Sequence, residues 1–289
     1  MKTYLECIPC FVRQTNEILR NTIDNDKDRW EIMQQVLRDL ADYDFCISPP
    51  EAATRIHRLI RKKTGLEDPY REAKRRSNEI ALQLYPELKT RIKTSLDPWE
   101  TALRLAIAGN IIDLGIKNEV NLSDIERSIE DALRQPLTDG NAAKMKADVE
   151  AAENILYIGD NAGEIVFDRL FIEEMPTEKV TFVVRGYPAI NDALMEDAEA
   201  VGLTDIVNVI DNGSDAPGTL LADCSSEFLR AFKNADLIIA KGQGNYETLS
   251  DVPKPIYFLF RVKCHVIAYD AGIEVGKIAV IKRGEGKYV

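Results

Sequence analysis

Two hydrophobic spacings divide this chain of 289 residues near residue 151. From about residue 11 to 151, apolar side chains recur at every third and fourth position, which gathers them on one face of an α-helix. Two helix starts are well marked. Ser48-Pro49-Pro50-Glu51 joins a capping box to proline in the first turn, and Ser123-Asp124-Ile125-Glu126 repeats the box. Helices are expected near 49–64 and 123–135. Residues 70 to about 93 carry many charges and predict a helix with a wide solvated face. Residues 99–114 are mostly apolar and predict a buried helix.

Beyond residue 152 short β-branched runs alternate with helical stretches, at roughly 154–159, 179–185, 205–210, 236–241 and 255–262. That alternation predicts a parallel sheet flanked by helices. A last run, Lys277-Ile278-Ala279-Val280-Ile281, follows the Ala271-Gly272 turn and predicts an edge strand of either direction. The expected fold class is α/β, an all-helical N-terminal region packed on a mostly parallel, Rossmann-like sheet. The expected division is a helical domain at 1–151 and a metal- and phosphate-binding α/β domain at 152–289.

Several polar, glycine-bearing motifs stand where these runs end. Gly159-Asp160-Asn161-Ala162-Gly163-Glu164 follows the first, Asn191-Asp192 the second, and Lys241-Gly242-Gln243-Gly244-Asn245-Tyr246-Glu247 the fourth. Ligands of open α/β sheets sit outside the carboxyl ends of the strands, so acids, an amide and a lysine collected there point to a metal and phosphate site. Alone, Asp160 with Asn161, or Asp192, reads as a helix cap. Together the two carboxylates and the Asn161 amide offer a hard cation three oxygen ligands, with positions left for water and phosphate. Lys241 beside Gly242 and Gly244 sets a cation next to backbone that can approach a phosphate closely. Lys263, with Arg261 two residues before it, is a second candidate cation. Neither a P-loop nor a dinucleotide-binding fingerprint is present.

Composition narrows the chemistry. A formal net charge of −11 opposes nucleic-acid binding, which rests on a basic footprint, but tolerates a small phosphorylated ligand in one cleft. No apolar run is long enough for a membrane span or a secretory leader, so a cytoplasmic location is expected. Only two histidines, His57 and His265, are available, which argues against a zinc hydrolase. Five cysteines, at 7, 10, 46, 224 and 264, fit neither a disulfide framework nor paired zinc knuckles. Only Cys7-Ile8-Pro9-Cys10 has a suggestive spacing.

Three features imitate sites. Asp24-Asn25-Asp26-Lys27-Asp28 opens like a calcium loop, but Arg29 occupies the glycine position and Gln35 that of the bidentate glutamate. Asp211-Asn212-Gly213-Ser214 reads as a turn. Asn110 and Asp113 share a helix face and are expected to brace two layers.

Gly-Asp-Asn-Ala-Gly-Glu, Arg-Gly-x-Pro-x-x-Asn-Asp and Lys-Gly-Gln-Gly-Asn-Tyr-Glu, preceded by Cys-Ile-Pro-Cys and Ala-Gly-Asn-Ile-Ile-Asp, resemble the damage-control phosphatase family, long catalogued as domain of unknown function 89. The likeness runs from Cys7 to about Val266 and is closest to the compact microbial members. It implies a metal-dependent phosphatase acting on small phosphometabolites such as sugar phosphates. By motif match Asp160, Asn161 and Asp192 would hold the metal, Glu164 would touch substrate, Gln243, Gly244, Asn245, Tyr246 and Glu247 would line the phosphate loop, and Lys263 would meet the phosphate. The cofactor implied is Mn²⁺ or Mg²⁺, with Co²⁺ or Ni²⁺ able to compete in vitro. Leaving-group selection is expected from Arg71, Lys74 and Asn78. Some relatives have been described as carboxyl methyltransferases, yet no glycine-rich loop here favours S-adenosylmethionine. The rival class is a metal- or redox-sensing binding protein using Cys7 and Cys10.

Overall fold

The computed structural model describes residues 1–109, 122–137 and 141–284. Among these residues seven helices come first: α1 (Cys7–Thr22), α2 (Asp26–Ala41), α3 (Pro49–Thr64), α4 (Arg71–Thr94), α5 (Pro98–Gly109), α6 (Leu122–Arg134) and α7 (Asn141–Ala151). Helix α2 begins where the calcium-loop imitation lies, with Asn25 capping the Lys27 N–H at 2.9 Å. Helix α3 starts without the expected capping box. The Glu51 N–H donates to the Ser48 backbone carbonyl, while the Glu51 side chain pairs with Arg55 at 3.0 Å. Proline at the first two positions removes two of the donors a cap would serve. Asn110 and Asp113 lie outside the described residues.

Strands then alternate with helices: β1 (Ile155–Ile158), α8 (Glu164–Ile172), β2 (Val180–Val184), α9 (Met195–Ala200), β3 (Asn208–Asp211), α10 (Ser226–Asn234), β4 (Leu237–Lys241), α11 (Gly242–Leu249), β5 (Ile256–Arg261), α12 (His265–Ala271) and β6 (Ile278–Arg283). Strand β3 starts later than expected because the Ile206 and Val207 N–H groups both turn back to the Leu203 carbonyl. The sheet order is β3-β2-β1-β4-β5-β6, parallel except for β6, which pairs antiparallel with β5. This is an α/β fold. Chain order reverses between β1 and β4, so the carboxyl ends of those strands flank the switch-point crevice where such folds bind ligands.

Alternate residues of β1 serve two cores. Ile155 and Tyr157 pack with α4, α5 and α8, and Leu156 and Ile158 pack with α10 and α11. Burial on both faces explains the unbroken apolar runs of the central strands. A third cluster joins α1, α2 and α3 through Phe11, Val36 and Ile56. No helix among the described residues is long and apolar enough to cross a membrane.

Candidate active site

Asp160 and Asn161 leave the end of β1, and Gly163, at φ 78°, turns the chain into α8. Glycine is itself the N-cap, so neither the Asp160 nor the Asn161 side chain is spent on capping. Helix α4 pins this turn from outside. Asn78 accepts the Gly163 N–H at 2.6 Å and donates to Asp197 at 2.8 Å.

Asp192 arrives on the loop after β2. Ile190 adopts φ 48°, a left-handed conformation that a β-branched residue seldom takes, and the Asp192 N–H closes a turn on the Ala189 carbonyl. The loops then zip together: Ala193 N–H to Asp160 C=O at 2.8 Å, Ala162 N–H to Asn191 C=O at 2.9 Å, and a bridge between Asn161 and Asp192. Backbone pairing thereby brings together the three residues that the sequence pattern groups.

The pair of acids is short of positive charge. Burial, then Asp192 and Glu164, push the Asp160 carboxyl well above the usual carboxylate range. Burial raises Asp192 too, outweighing the adjacent guanidinium of Arg185. Arg185 Nε donates to Asp192 Oδ2 at 2.6 Å, and its Nη2 lies 3.6 Å from Asp160 Oδ1. This arginine, 1% exposed, also reaches Asn245 Oδ1 and Thr219 Oγ1. Sequence reading passed over it as the last residue of a strand run. An arginine ending an apolar strand and followed by glycine was the available signal.

A divalent cation fits this deficit. Among the described residues no three His, Cys, Asp or Glu side chains gather into one metal group, and the side chain beside the two acids that can add a hard oxygen is Asn161. Its Nδ2 donates to Asp160 Oδ2 at 2.9 Å and to Glu164 Oε2 at 3.0 Å, so the oxygen is the atom the side chain offers a cation. Two carboxylates and an amide oxygen form a hard donor set suited to Mg²⁺ or Mn²⁺. Gly242, at φ 77°, closes the site from behind. A Cβ on it would stand 1.8 Å from Asp160 Oδ2. Gly242→Ala is therefore expected to displace that carboxylate and weaken Mn²⁺ binding roughly 10- to 100-fold, the usual cost of disturbing what supports a ligand. Calorimetric titration with Mn²⁺ checks it, and unchanged affinity would contradict this placement.

Four of the side chains expected to meet substrate are buried among protein partners. Lys241 is fully buried and donates to Glu164 Oε1 at 2.5 Å, Asp168 Oδ1 at 2.6 Å and the Ala106 carbonyl at 2.8 Å. Against the lowering effect of burial, Asp168 and Glu164 hold its pKa above the usual lysine value. Burial pushes Asp168 up to about 7, with Lys241 opposing. Glu164, also fully buried, faces Lys241 and Asn161 rather than open space. The stretch after Lys241 is the helix α11, not an open loop, so its side chains point in different directions. Asn245 turns inward and donates to the Gly159 and Lys241 carbonyls at 3.1 and 2.7 Å. Tyr246 enters the core against Phe258 and Phe260.

Gln243, Gly244 and Glu247 face the other way, into a cavity of about 510 Å³. Asp160, Asn161, Asp192 and Lys263 line the same cavity. The Lys263 side chain is exposed, and its backbone N–H donates to Gln243 Oε1 at 3.2 Å. Arg261 does not join it, being held by the Gly276 carbonyl at 3.0 Å. The opposite wall is built by the start of α1, with Cys7 and Cys10, and the start of α3, with Pro49 and Ala53. Lys74 and Asn78 do not reach it. Lys74 is buried between Asp68 at 2.8 Å and Asp197 at 3.5 Å, and Asn78 braces the β1 turn. Arg71 borders a separate, larger groove of about 950 Å³ beyond β2 and β3. There Asp215 is already held by Arg58 and Arg61, so the groove offers no acid pair comparable to Asp160 and Asp192.

Residues 3–278 match the damage-control phosphatase ARMT1-like domain. The chain belongs to this family. A damage-control phosphatase of Pyrococcus horikoshii is 35% identical over 98% of each chain. One of Archaeoglobus fulgidus is 40% identical over 78% of this chain and 79% of its own. An uncharacterised protein of Methanocaldococcus jannaschii is 37% identical over 96% of this chain and 94% of its own. The crystal structure of a DUF89 family protein from P. horikoshii superposes with a TM-score of 0.90, covering 98% of this chain and 99% of that one.

Proposed function

We propose that this member of the damage-control phosphatase family hydrolyses small phosphorylated metabolites with a divalent cation held by Asp160, Asn161 and Asp192. The observation that carries the reading is the buried, zipped pair Asp160 and Asp192 opening on the same cavity as Lys263. A cation bound there would supply charge neutralisation for a phosphate oxygen and a means of activating water. The chain's own part is positional. Arg185 fixes Asp192, Glu164 fixes the Asn161 amide, and Lys263 brings an ammonium to the phosphate without being consumed by a buried pair. Charge spread over the equatorial oxygens in the transition state rewards donors held in place beforehand. The cavity volume leaves space for a metabolite beside the phosphate, and the walls at Cys7, Cys10, Pro49 and Ala53 would meet it.

The test is phosphate release by chelator-stripped protein resupplied with Mg²⁺, Mn²⁺, Co²⁺ or Ni²⁺, on a panel of sugar phosphates and an aryl phosphate. Loss of hydrolysis on stripping and recovery with at least one cation is expected. Undiminished hydrolysis in chelator would reject the metal, and no hydrolysis under any condition would reject the phosphatase reading.

A further inference from the structure

Glu247 lines the cavity without belonging to the acid pair or to the buried Lys241 cluster. It lies one helical turn beyond Gln243, whose Nε2 donates to Glu247 Oε1 at 2.9 Å and whose Oε1 accepts the Lys263 N–H at 3.2 Å. One amide thus clamps the carboxyl of Glu247 to the segment that carries the candidate phosphate cation. Lys263 acts electrostatically on both Asp160 and Glu247, so a phosphate held by that ammonium and the metal ligands has Glu247 within the same small space.

Three thiols line the same cavity as Glu247. Cys7 and Cys10 occupy the first turn of α1, and Cys264 precedes α12, accepting a long contact from Gln243 Nε2 at 3.8 Å. Burial raises the Cys7 thiol, with Glu247, Cys264 and Cys10 adding to it, and burial likewise raises Cys264. Both thiols stay neutral around pH 7, so they border the carboxyl without giving it a charge partner.

We propose that Glu247 is the general acid of the reaction, donating its proton to the ester oxygen of the leaving group, and that the Cys7 and Cys264 thiols form the low-polarity wall that keeps it protonated. The assignment rests on the phosphatase reading above. In the overall step ROPO₃²⁻ + H₂O → ROH + HPO₄²⁻, the water oxygen forms the new P–O bond. The ester P–O bond breaks, its electron pair goes to the leaving oxygen, and that oxygen takes the Glu247 proton. One proton of the attacking water stays on the product phosphate, and the other is returned to Glu247 through solvent. Burial pushes Glu247 up to about 7, although Gln243, the Met1 ammonium and Lys263 each lower it. General acids work best with a pKa near the working pH. The remaining charged or titratable groups lining the cavity outside the ligand set are Glu6, Arg13, Cys10 and His265.

Leaving-group dependence separates this role from a structural one. An alkoxide needs the proton as it departs, whereas a nitrophenolate is stable without it. With metal-reconstituted protein, Glu247→Gln is expected to lower kcat on glycerol phosphate roughly 10²- to 10³-fold and on p-nitrophenyl phosphate only a few-fold. In the wild type, kcat on glycerol phosphate should fall as pH rises through about 7, where the acid form of Glu247 is lost. The aryl substrate should lack that limb. Equal loss on both substrates, no loss on the alkyl one, or the same limb for both would overturn the acid role. Should Glu247→Gln fail to fold, Cys7→Asp places a negative charge beside Glu247 and is expected to move the alkyl limb to higher pH; an unmoved limb would also overturn it. Wild-type protein that releases phosphate from neither substrate overturns the phosphatase reading itself, and the acid role with it.

Discussion

Asp160→Ala should release phosphate at least roughly 10³-fold more slowly than wild type at any metal concentration, while unfolding at the same temperature or a higher one. The loss follows from removing a carboxylate on which a cation would depend, since a metal contributes several kcal/mol to the transition state and each ~1.4 kcal/mol is tenfold in rate. Stability moves the other way because Asp160 is buried beside a second acid. Burial, Asp192 and Glu164 all disfavour its charge, so the apo protein spends free energy holding it there. A structural carboxylate would show the reverse, with a lower melting temperature and partly retained turnover. Phosphate release and thermal unfolding measured on one preparation separate the two.

Lys241→Met should lower the free energy of unfolding by about 3–5 kcal/mol, the usual cost of breaking a buried ion pair from one side. The variant leaves Glu164 and Asp168 both fully buried, with the Tyr157 hydroxyl at 2.8 Å the one remaining side-chain donor to Asp168 among the described residues. A phosphate-binding lysine on an open rim would behave differently, costing little stability and mainly raising KM. Adding Glu164→Gln and Asp168→Asn to Lys241→Met should recover much of the lost stability, because the orphaned charges are removed with their partner. The triple variant should nevertheless bind the metal more weakly than the single one, since Glu164→Gln takes from the Asn161 amide the charged acceptor that sets its direction. Denaturant unfolding of the single and triple variants checks this. A Lys241→Met protein as stable as wild type would contradict the buried cluster.

Where the sequence was read for period and strand ends, the structure followed it closely. The change from helical spacing to alternating strands near residue 152 and the placing of polar motifs after β1, β2 and β4 are local signals, set by side-chain periodicity and turn chemistry. The grouping of Asp160, Asn161 and Asp192 was legible for the same reason, because parallel strands bring their carboxyl ends to one edge. Direction was not legible. Lys241 ends its strand as Lys263 follows the next, and nothing local shows that one is sealed beneath α5 and α8 while the other stays exposed. The clue lay elsewhere in the chain: Glu164 and Asp168, four apart on an apolar helix, put two acids on one buried face that only a cation can neutralise. Lys74 and Asn78 misled similarly, since a charged helix was read as solvated where its polar side chains hold the β1 turn and Asp197. Tertiary partners decide such cases, and they are distant in sequence.

The central claim, that a divalent cation sits among Asp160, Asn161 and Asp192 and faces Lys263 across the phosphate, is tested most directly by anomalous scattering from a crystal grown with Mn²⁺ and vanadate. The account predicts one manganese peak in contact with all three side chains, with vanadate oxygens reaching both the metal and the Lys263 ammonium. A manganese peak anywhere else, at Cys7 and Cys10 for example, or a vanadate bound away from Lys263, would contradict it.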